Sequence, residues 1–387
     1  MSDRAVEPLP ADMPPRRSSL LLSIEDAAEH PEWDAFVTRT FGGDIAQTSA
    51  WGRIKRSVGM DVYRIVVRAD GQIAGGAQLL VRPLPVAALG RVAYAPYGPL
   101  LAPDGVDDAT APLIQGLRQL CRQRSIAALV VQPPQGGEQI GTALRSAGFR
   151  PTGVDVAPSA SMRVDLRLSN DELLERMNRH TRREFRQSLR GPVTVRFASG
   201  SDLASFHQLY CVTASRHGFT PWSARYLQTV WHELRPKGQV ELLLADVDGV
   251  DVAGNLVTCF GEAVTGRLVG FDPDRLKGRI RPNELLMWRT MEWARDIGVR
   301  WLDVGGVPRA DAMALVHGGE PEGEQNTLKM RLSGIPLVYP EPLEFIPNPM
   351  LRAGFRVLGS RKLVHALRSS VQQRLRTSSH ENSRSSR

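Results

Sequence analysis

Residues 62–81 read VYRIVVRADGQIAGGAQLLV, and this stretch decides the predicted fold. Runs rich in Val, Ile and Leu flank Asp70-Gly71, a pair that tolerates the positive φ angles of a type I′ turn, so the sequence predicts a β-hairpin. Residues 240–260 read VELLLADVDGVDVAGNLVTCF and place Asp248-Gly249 between two similar runs. The two stretches also share an Ala-Gly step shortly after the turn, which indicates two units of one plan.

The elements around each hairpin follow a similar order. In the first unit we expect a helix from about Ile24 capped by Ser23, strands at 62–67, 72–81, 91–98, 127–132 and 162–168, and helices at 109–124 and 138–147. In the second we expect strands at 193–198, 240–249, 251–260, 265–271 and 300–306, and helices at 202–217, 223–235 and 284–297, the last capped by Asn283. The predicted fold is mixed α/β, with tandem domains at 20–168 and 192–346.

Residues 169–191 lie between these domains and are predicted to form one linker helix. Ser169 and Glu172 make a capping box, and apolar residues recur at helical spacing on one face. Another face carries four arginines: Arg179, Arg183, Arg186 and Arg190. Such a stripe is either a solvated helix face or a surface that contacts phosphates.

The two ends of the chain differ from its body. Residues 1–19 contain four prolines and no apolar periodicity, which predicts a disordered leader. The formal net charge is +8, and residues 352–387 account for all of it, with nine Lys or Arg against Glu381 alone. Within the tail, 347–387, residues 361–376 have apolar positions four apart, which predicts a basic amphipathic helix followed by a disordered end. Such a helix contacts an anionic membrane surface or tRNA, or packs on the protein body.

Composition excludes several classes of protein. No apolar run approaches the ~18 residues of a membrane span, and the N-terminus lacks the apolar run of a signal peptide. The three cysteines, Cys121, Cys211 and Cys259, are far apart and show no CxxC pair. We therefore expect a cytoplasmic protein without a disulfide framework or a metal site.

Eight short motifs, in this order, resemble the Fem family of peptidoglycan-bridge aminoacyltransferases. They cover roughly residues 35–345 and begin at Gln47 (QTSAWGRIK), Gly75 (GGAQ), Tyr94 (YAPYGP), Arg176 (RMNRHTRR), Thr213 (TASRHGF), Pro282 (PNELLMWRTMEWA), Asp303 (DVGG) and Leu328 (LK). The resemblance implies two tandem domains of the acyl-CoA N-acyltransferase (GNAT-like) fold. It also implies transfer of an amino acid from aminoacyl-tRNA to the stem peptide of a peptidoglycan precursor, with no cofactor or metal.

The resemblance also implies roles for single residues. Lys329 matches the lysine that stabilises negative charge on the reacting carbonyl oxygen, and Lys55 matches a lysine that contacts the precursor's diphosphate. The expected substrate-binding residues are Trp51, Lys55, Tyr94, Tyr97, Asp303, Gly305 and Gly306. Each has a plain structural alternative: exposed lysines, tyrosines of the core, a carboxylate that caps a turn, and glycines of a tight turn.

Two departures from the family pattern affect these roles. The family usually has an Arg, thought to help hold the precursor's phosphate, four residues before a Tyr. Here Trp222 precedes Tyr226, so the acceptor is expected to bind differently. The family lysine usually lies between a Phe and a Gly-rich turn, whereas Lys329 follows Leu328 and only Gly334 remains of that turn.

Two other classes stay open. An acyl-CoA N-acyltransferase has an Arg/Gln-x-x-Gly-x-Gly/Ala loop for pyrophosphate, and Arg275-Leu-Lys-Gly278-Arg-Ile280 matches it except at Ile280, where the pattern needs a very small residue. The second class is a non-catalytic tRNA- or membrane-binding protein, and the basic tail is the only feature of the sequence that favours it.

Overall fold

Both predicted Asp-Gly hairpins form. The computed structural model describes residues 19–84, 90–103, 106–152, 157–276, 280–320, 328–332 and 334–352. Asp70 and Gly71 have φ angles of 49° and 82°, and Asp248 and Gly249 have 52° and 76°, as a type I′ turn requires. Ala69 then pairs with Gln72, and Val247 pairs with Val250.

The first half of the chain builds most of one sheet. Its elements are β1 (Leu20–Glu25), α1 (Pro31–Arg39), α2 (Ser49–Arg56), β2 (Asp61–Ala69), β3 (Gln72–Pro83), β4 (Arg91–Ala95), β5 (Leu100–Leu101), α3 (Val106–Gln123), β6 (Ile126–Val131), α4 (Glu138–Ser146) and β7 (Arg150–Pro151). The helix expected from Ile24 was wrong. Residues 20–25 pair with β2 as an antiparallel edge strand, and Ser23 bonds Glu25 instead of capping a helix.

The second half builds a second sheet of the same kind. Its elements are β8 (Ala160–Asp165), α5 (Asn170–Arg176), α6 (Arg179–Ser188), β9 (Val193–Phe197), α7 (Leu203–His217), α8 (Ala224–Leu234), β10 (Val240–Val247), β11 (Val250–Phe260), β12 (Ala263–Phe271), α9 (Pro282–Asp296), β13 (Trp301–Gly306), α10 (Arg309–Val316), α11 (Leu328–Arg331), β14 (Ile335–Val338) and β15 (Leu343–Phe345).

Two helix predictions need correction. The linker 169–191 is not one helix, because the backbone at Met177 is extended and Asn178 caps a second helix with its side chain. The predicted capping box at Ser169 is present in the first of the two. α9 begins at Pro282, so Asn283 lies inside the first turn and does not cap it.

The two sheets exchange strands. The first has the order β1-β2-β3-β4-β6-β15-β7, with β5 added beside β3, and the second has the order β14-β8-β13-β12-β11-β10-β9. The strand at 162–168 was expected to complete the first unit, but β8 pairs with β13 and β14 in the second. In return β15, from the end of the second half, pairs with β6 and β7 in the first.

A core shared by both units joins them. Ile45, Ala50 and Ile54 from the region of α2 pack in one buried cluster with Phe206 of α7 and Leu227 of α8. Each sheet also has its own core, which lies under α3 and α4 in the first unit and under α6 and α9 in the second. The position of α2 therefore fixes how the first unit contacts the second.

Two fully buried glutamines hold α2 against the first sheet. The amide N–H of Gln78 donates to Gln47 Oε1 at 2.7 Å, and Gln78 Nε2 donates to the carbonyls of Ala46 and Thr48 at 3.0 and 2.9 Å. Arg64 Nε completes the network by donating to Gln78 Oε1 at 3.1 Å. Each buried polar atom in this network has a partner, which is what makes such a buried arrangement stable.

We expect Gln78→Leu to lower the free energy of unfolding by roughly 3 kcal/mol. The substitution keeps the volume of the side chain but leaves Arg64 Nε and the Ala46 carbonyl without their partners, whereas the Thr48 carbonyl keeps the amide of Gly52. An unsatisfied buried group costs about 1–3 kcal/mol. Urea unfolding followed by circular dichroism measures the change. Gln139→Leu, at an exposed position of α4, is the control and should change stability by no more than about 0.5 kcal/mol. Equal effects of the two substitutions would contradict the role of the network.

Candidate functional site

The second sheet opens between β12 and β13. The two strands run parallel and pair over only three residues, from Ala263 opposite Trp301 to Thr265 opposite Asp303. β12 has a bulge at Arg267 in its pairing with β11, and β13 has one between Asp303 and Gly306 in its pairing with β8. Bulges at the same level bend both strands, and their backbone pairing ends at Thr265 and Asp303, ahead of Gly266 and Gly305. In the first unit the equivalent parallel pair, β4 and β6, pairs as far as Ala95 and Val131.

Close packing against other parts of the chain requires glycine at Gly305 and Gly306. Gly305 has a φ of 80°, and a Cβ there would lie 2.7 Å from the carbonyl oxygen of Gly266. A Cβ on Gly306 would lie 2.9 Å from side-chain carbons of Pro158. These contacts explain both glycines without a ligand, so their assignment to substrate binding stays a prediction.

Lys329 lies at this opening. It belongs to the short helix α11, and its Nζ donates to the carbonyl oxygen of Gly306 at 3.3 Å and lies 3.4 Å from where a Cβ of Gly305 would be. Burial lowers the pKa of Lys329, and the nearby carboxylate of Asp303 opposes that shift. The site therefore holds a half-buried cation where two strands part. Such a cation has a stronger effect on a reacting group than an exposed lysine has.

Asp303 is buried and bonded entirely to protein groups. It accepts hydrogen bonds from Ser161 Oγ, from the amide of Gly305 at 2.9 Å and from Arg163 Nε at 3.3 Å. Arg163 in turn donates to Gln135 Oε1 at 2.9 Å. The geometry favours Asp303 as a residue that positions the Gly305 turn and supports the charge of Lys329. Direct contact of Asp303 with a substrate stays a prediction.

Lys55 lies in a box of aromatic rings between the two units. Its Nζ is 4.8 Å from the ring centroid of Trp51, 4.6 Å from Trp222 and 5.0 Å from Tyr226, and it donates to Tyr226 Oη at 2.9 Å. Cations are attracted to the faces of such rings. The residue is 8% exposed, so it is not an ordinary surface lysine. Trp222 therefore forms one wall of this box.

The two predicted tyrosines differ. Tyr97 is buried, packs against the tilted ring of Tyr339 at 4.8 Å between ring centroids, and donates from its hydroxyl to the carbonyl of Pro158 at 3.2 Å. Tyr97 thus contributes to the contact between the units, and its substrate-binding role stays a prediction. Tyr94 is half-buried on β4, beside β6, and its substrate-binding role stays a prediction.

Sequence reasoning missed two residues of the site, Arg267 and Tyr339. Arg267 follows Gly266 at the bulge, and its guanidinium carbon lies 5.4 Å from the ring of Trp51, so it connects the opening to the aromatic box. Burial raises the pKa of the Tyr339 phenol, the carboxylates of Asp44 and Asp303 raise it further, and Arg163 and Arg267 oppose that shift. The sequence held one signal for Arg267, which is that an arginine lies within the otherwise apolar predicted strand TGRLVGF.

The possible pyrophosphate loop of an acyl-CoA enzyme is only partly described. Arg275 donates from Nε to Asp272 Oδ2 at 2.9 Å and from Nη1 to the carbonyl of Asp251 at 2.8 Å, so its guanidinium is already bonded to protein. Gly278 lies outside the described residues, and so do the tail at 361–376 and residues 1–18 of the leader. None of the helices in the described ranges is both long and apolar enough to cross a membrane.

Comparisons with known proteins agree on the fold. The family described as "Acetyltransferase (GNAT) domain" matches residues 175–316. The crystal structure of FemX superposes with a TM-score of 0.70 at 19% identity and covers 84% of this chain and 97% of that one. A tandem GNAT protein from the clavulanic acid biosynthesis pathway, at 13% identity, has a TM-score of 0.53 and covers 86% of this chain and 99% of that one. The chain is therefore a protein of the GNAT fold with two such units in tandem.

One curated relative indicates a more specific group within the proteins of the GNAT fold. "Lipid II:glycine glycyltransferase" of Staphylococcus aureus is 26% identical over 227 residues, which are 56% of this chain and 53% of the relative. The match thus spans about half the length of that relative. Together with the FemX likeness, it confirms the resemblance to the Fem family that the eight motifs carry.

We expect Asp303→Asn to lower the pKa of Lys329 further. Loss of the carboxylate removes the one interaction that raises this pKa and leaves the opposing effect of burial. The titration is measured by NMR of lysine-labelled protein, with the signal of Lys329 assigned from its absence in Lys329→Arg. Asp296→Asn, at an exposed position of α9, removes the same charge and should leave the titration unchanged. A pKa of Lys329 that does not move in Asp303→Asn would refute the electrostatic support.

Proposed function

We propose that this chain is an aminoacyltransferase that moves an amino acid from aminoacyl-tRNA to the stem peptide of a peptidoglycan precursor. The acceptor is lipid II or UDP-MurNAc-pentapeptide. The observation that carries the proposal is the half-buried ammonium of Lys329 at the opening between β12 and β13 of a GNAT-fold sheet. The sequence similarity to a lipid II:glycine glycyltransferase supports the choice of acceptor. The choice of aminoacyl-tRNA as donor rests on the resemblance of the motifs to the Fem family.

The chemistry asks little of the protein beyond charge and positioning. A neutral amine of the acceptor attacks the ester carbonyl, a C–N bond forms, and the ester C–O bond breaks. The amine loses a proton and the released ribose hydroxyl of tRNA gains one. Lys329 stabilises the negative charge that develops on the carbonyl oxygen, and Asp303 favours the charged form of Lys329. Because the ester is already activated, we propose no cofactor or metal.

Transfer from an acyl-CoA is the second candidate. It is favoured by the match of residues 175–316 to the acetyltransferase (GNAT) domain. The bonded guanidinium of Arg275 argues against a pyrophosphate at the loop that sequence reasoning chose. Isothermal titration with acetyl-CoA and, separately, with UDP-MurNAc-pentapeptide distinguishes the two. Measured transfer from either acetyl-CoA or aminoacyl-tRNA would exclude a purely non-catalytic binding protein.

Two further parts of the proposal rest on sequence alone. A cytoplasmic location fits an enzyme that uses aminoacyl-tRNA. Contact of 361–376 with an anionic membrane would bring the enzyme to a lipid-linked acceptor, and each base near such a surface contributes about 1 kcal/mol.

We expect Lys329→Met to fold normally and to lose about 100–1,000-fold in kcat, the usual effect of removing one group that stabilises an oxyanion. The measurement is transfer of a radiolabelled amino acid from charged tRNA to the precursor. Lys237→Met removes an exposed lysine of the same domain and should keep full activity. Wild-type kcat in Lys329→Met would rule out this role for Lys329.

We expect Lys55→Met to raise KM for the precursor about 10-fold while kcat changes little. A charge-assisted hydrogen bond contributes about 1.5–3 kcal/mol, and its loss affects bound substrate and transition state alike. Only one of the three N–H donors of Lys55 has a hydrogen-bond acceptor among the described residues, so two remain for a diphosphate. Met retains the aliphatic stem inside the aromatic box, and Lys237→Met again serves as the control. An unchanged KM would leave Lys55 with a structural role alone.

A further inference from the structure

A cleft in the second unit has six arginines in its lining. Its volume is about 1190 Å³, and it is formed by α6, the start of β9 and the residues that precede α9. The cationic or titratable residues that line it are Arg179, His180, Arg182, Arg183, Arg186, Arg190 and Arg281. No acidic residue is part of this lining, so the cleft is strongly positive.

The arginines of α6 point outward because the other face of the helix is buried. Thr181, Glu184, Phe185 and Ser188 face the core of the second unit. Arg179, Arg183 and Arg186 follow at steps of four and three residues, so they share the opposite face, and Arg190 comes just after the helix. The helix rises about 10 Å from the first to the third of them. All four are exposed.

These four arginines lack the usual partners of surface arginines. Among the residues that the structure describes, no carboxylate lies within ion-pair distance of Arg179, Arg183, Arg186 or Arg190. Like charges one turn apart on a helix destabilise it by about 0.2–0.5 kcal/mol per pair. A stripe of unpaired arginines is therefore a cost to stability that a bound polyanion would remove.

Ion pairs connect the cleft to the helix of Lys329. Glu184 is buried in α6 and pairs with Arg281 of the cleft at 2.6 Å. The same carboxylate pairs with Arg331 at 2.8 Å, and Arg331 lies two residues after Lys329 in α11. A ligand held in the cleft is thus bound to the framework that positions Lys329.

We infer that this cleft binds the phosphodiester backbone of an RNA at two or three consecutive phosphates. Arginine binds phosphate through two parallel hydrogen bonds, and a row of such groups in a concave wall matches a line of phosphates. An anionic membrane would instead favour a flat surface of mixed basic and apolar side chains. The identification of the RNA as the acceptor arm of the donor tRNA rests on the proposed function.

The test measures binding of a fluorescently labelled, uncharged tRNA acceptor-arm minihelix by anisotropy at several salt concentrations. The double substitution Arg183→Gln and Arg186→Gln should raise Kd at least 10-fold and reduce the slope of log Kd against log salt by about 2, since each lost phosphate contact reduces it by about 1. Arg122→Gln with Arg150→Gln removes the same charge from exposed positions of the first unit and should do neither. Equal effects of the two double variants would overturn the inference.

Further measurements separate the other possible ligands. If inorganic pyrophosphate or UDP-MurNAc-pentapeptide displaces the minihelix as efficiently as unlabelled minihelix does, the cleft is a diphosphate site and the inference is wrong. It is also wrong if phosphatidylglycerol vesicles, but not the minihelix, lose affinity for the double variant. If the cleft binds RNA but the protein shows no transfer activity, the proposed function is wrong and the RNA site in the cleft stands. If the double variant transfers with an unchanged KM for charged tRNA, the RNA site in the cleft is wrong and the proposed function stands.

Discussion

The pairing of Gln47 with Gln78 is the constraint on which the rest of the molecule depends. Their amides attach α2 to β3 inside the first unit, whereas the apolar face of α2 packs on helices of the second. The same helix carries Trp51 and Lys55, so the glutamines determine where the aromatic box lies. Arg267 contacts Trp51 from the bulge of β12, and this contact extends the constraint to the strand opening beside Lys329. A local amide network in one unit thereby positions groups that belong to both.

The opening in the second sheet and the charges around it form one arrangement. Two bulges separate β12 from β13, and close packing of Gly305 against Gly266 keeps them at that separation. Asp303 binds the amide of Gly305 and also faces Lys329, so one carboxylate stabilises both the turn and the cation. The first unit has no comparable opening in its parallel pair, which remains paired along β4. The difference explains why the candidate site lies in the second of two similar units.

Sequence periodicity and turn chemistry predicted most of the elements, because hairpins and amphipathic helices are specified by neighbouring residues. The two Asp-Gly turns and the capping box of Ser169 are examples. Sequence periodicity and turn chemistry could not predict interactions between residues that are far apart in the chain. The segment 20–25 forms a strand only because β2 offers it an edge, and the placement of β8 depends on β13 and β14, which lie far along the chain. The same limit applies to the site: Lys329 and Lys55 were found from motifs, but Arg267 becomes notable only when Trp51 lies beneath it.

The exchange of strands between the sheets has a consequence for biosynthesis. β15 lies between β6 and β7, and Phe345 stacks on Phe149 at 4.9 Å between ring centroids. The first sheet therefore stays incomplete until the ribosome has made the second unit, because β15 follows the other strands and helices of that unit in the chain. Long-range pairing of this kind slows folding and leaves edges exposed to other chains. A nascent chain of this protein would depend on chaperones for longer than its two similar halves imply, and neither half is a self-contained product of translation.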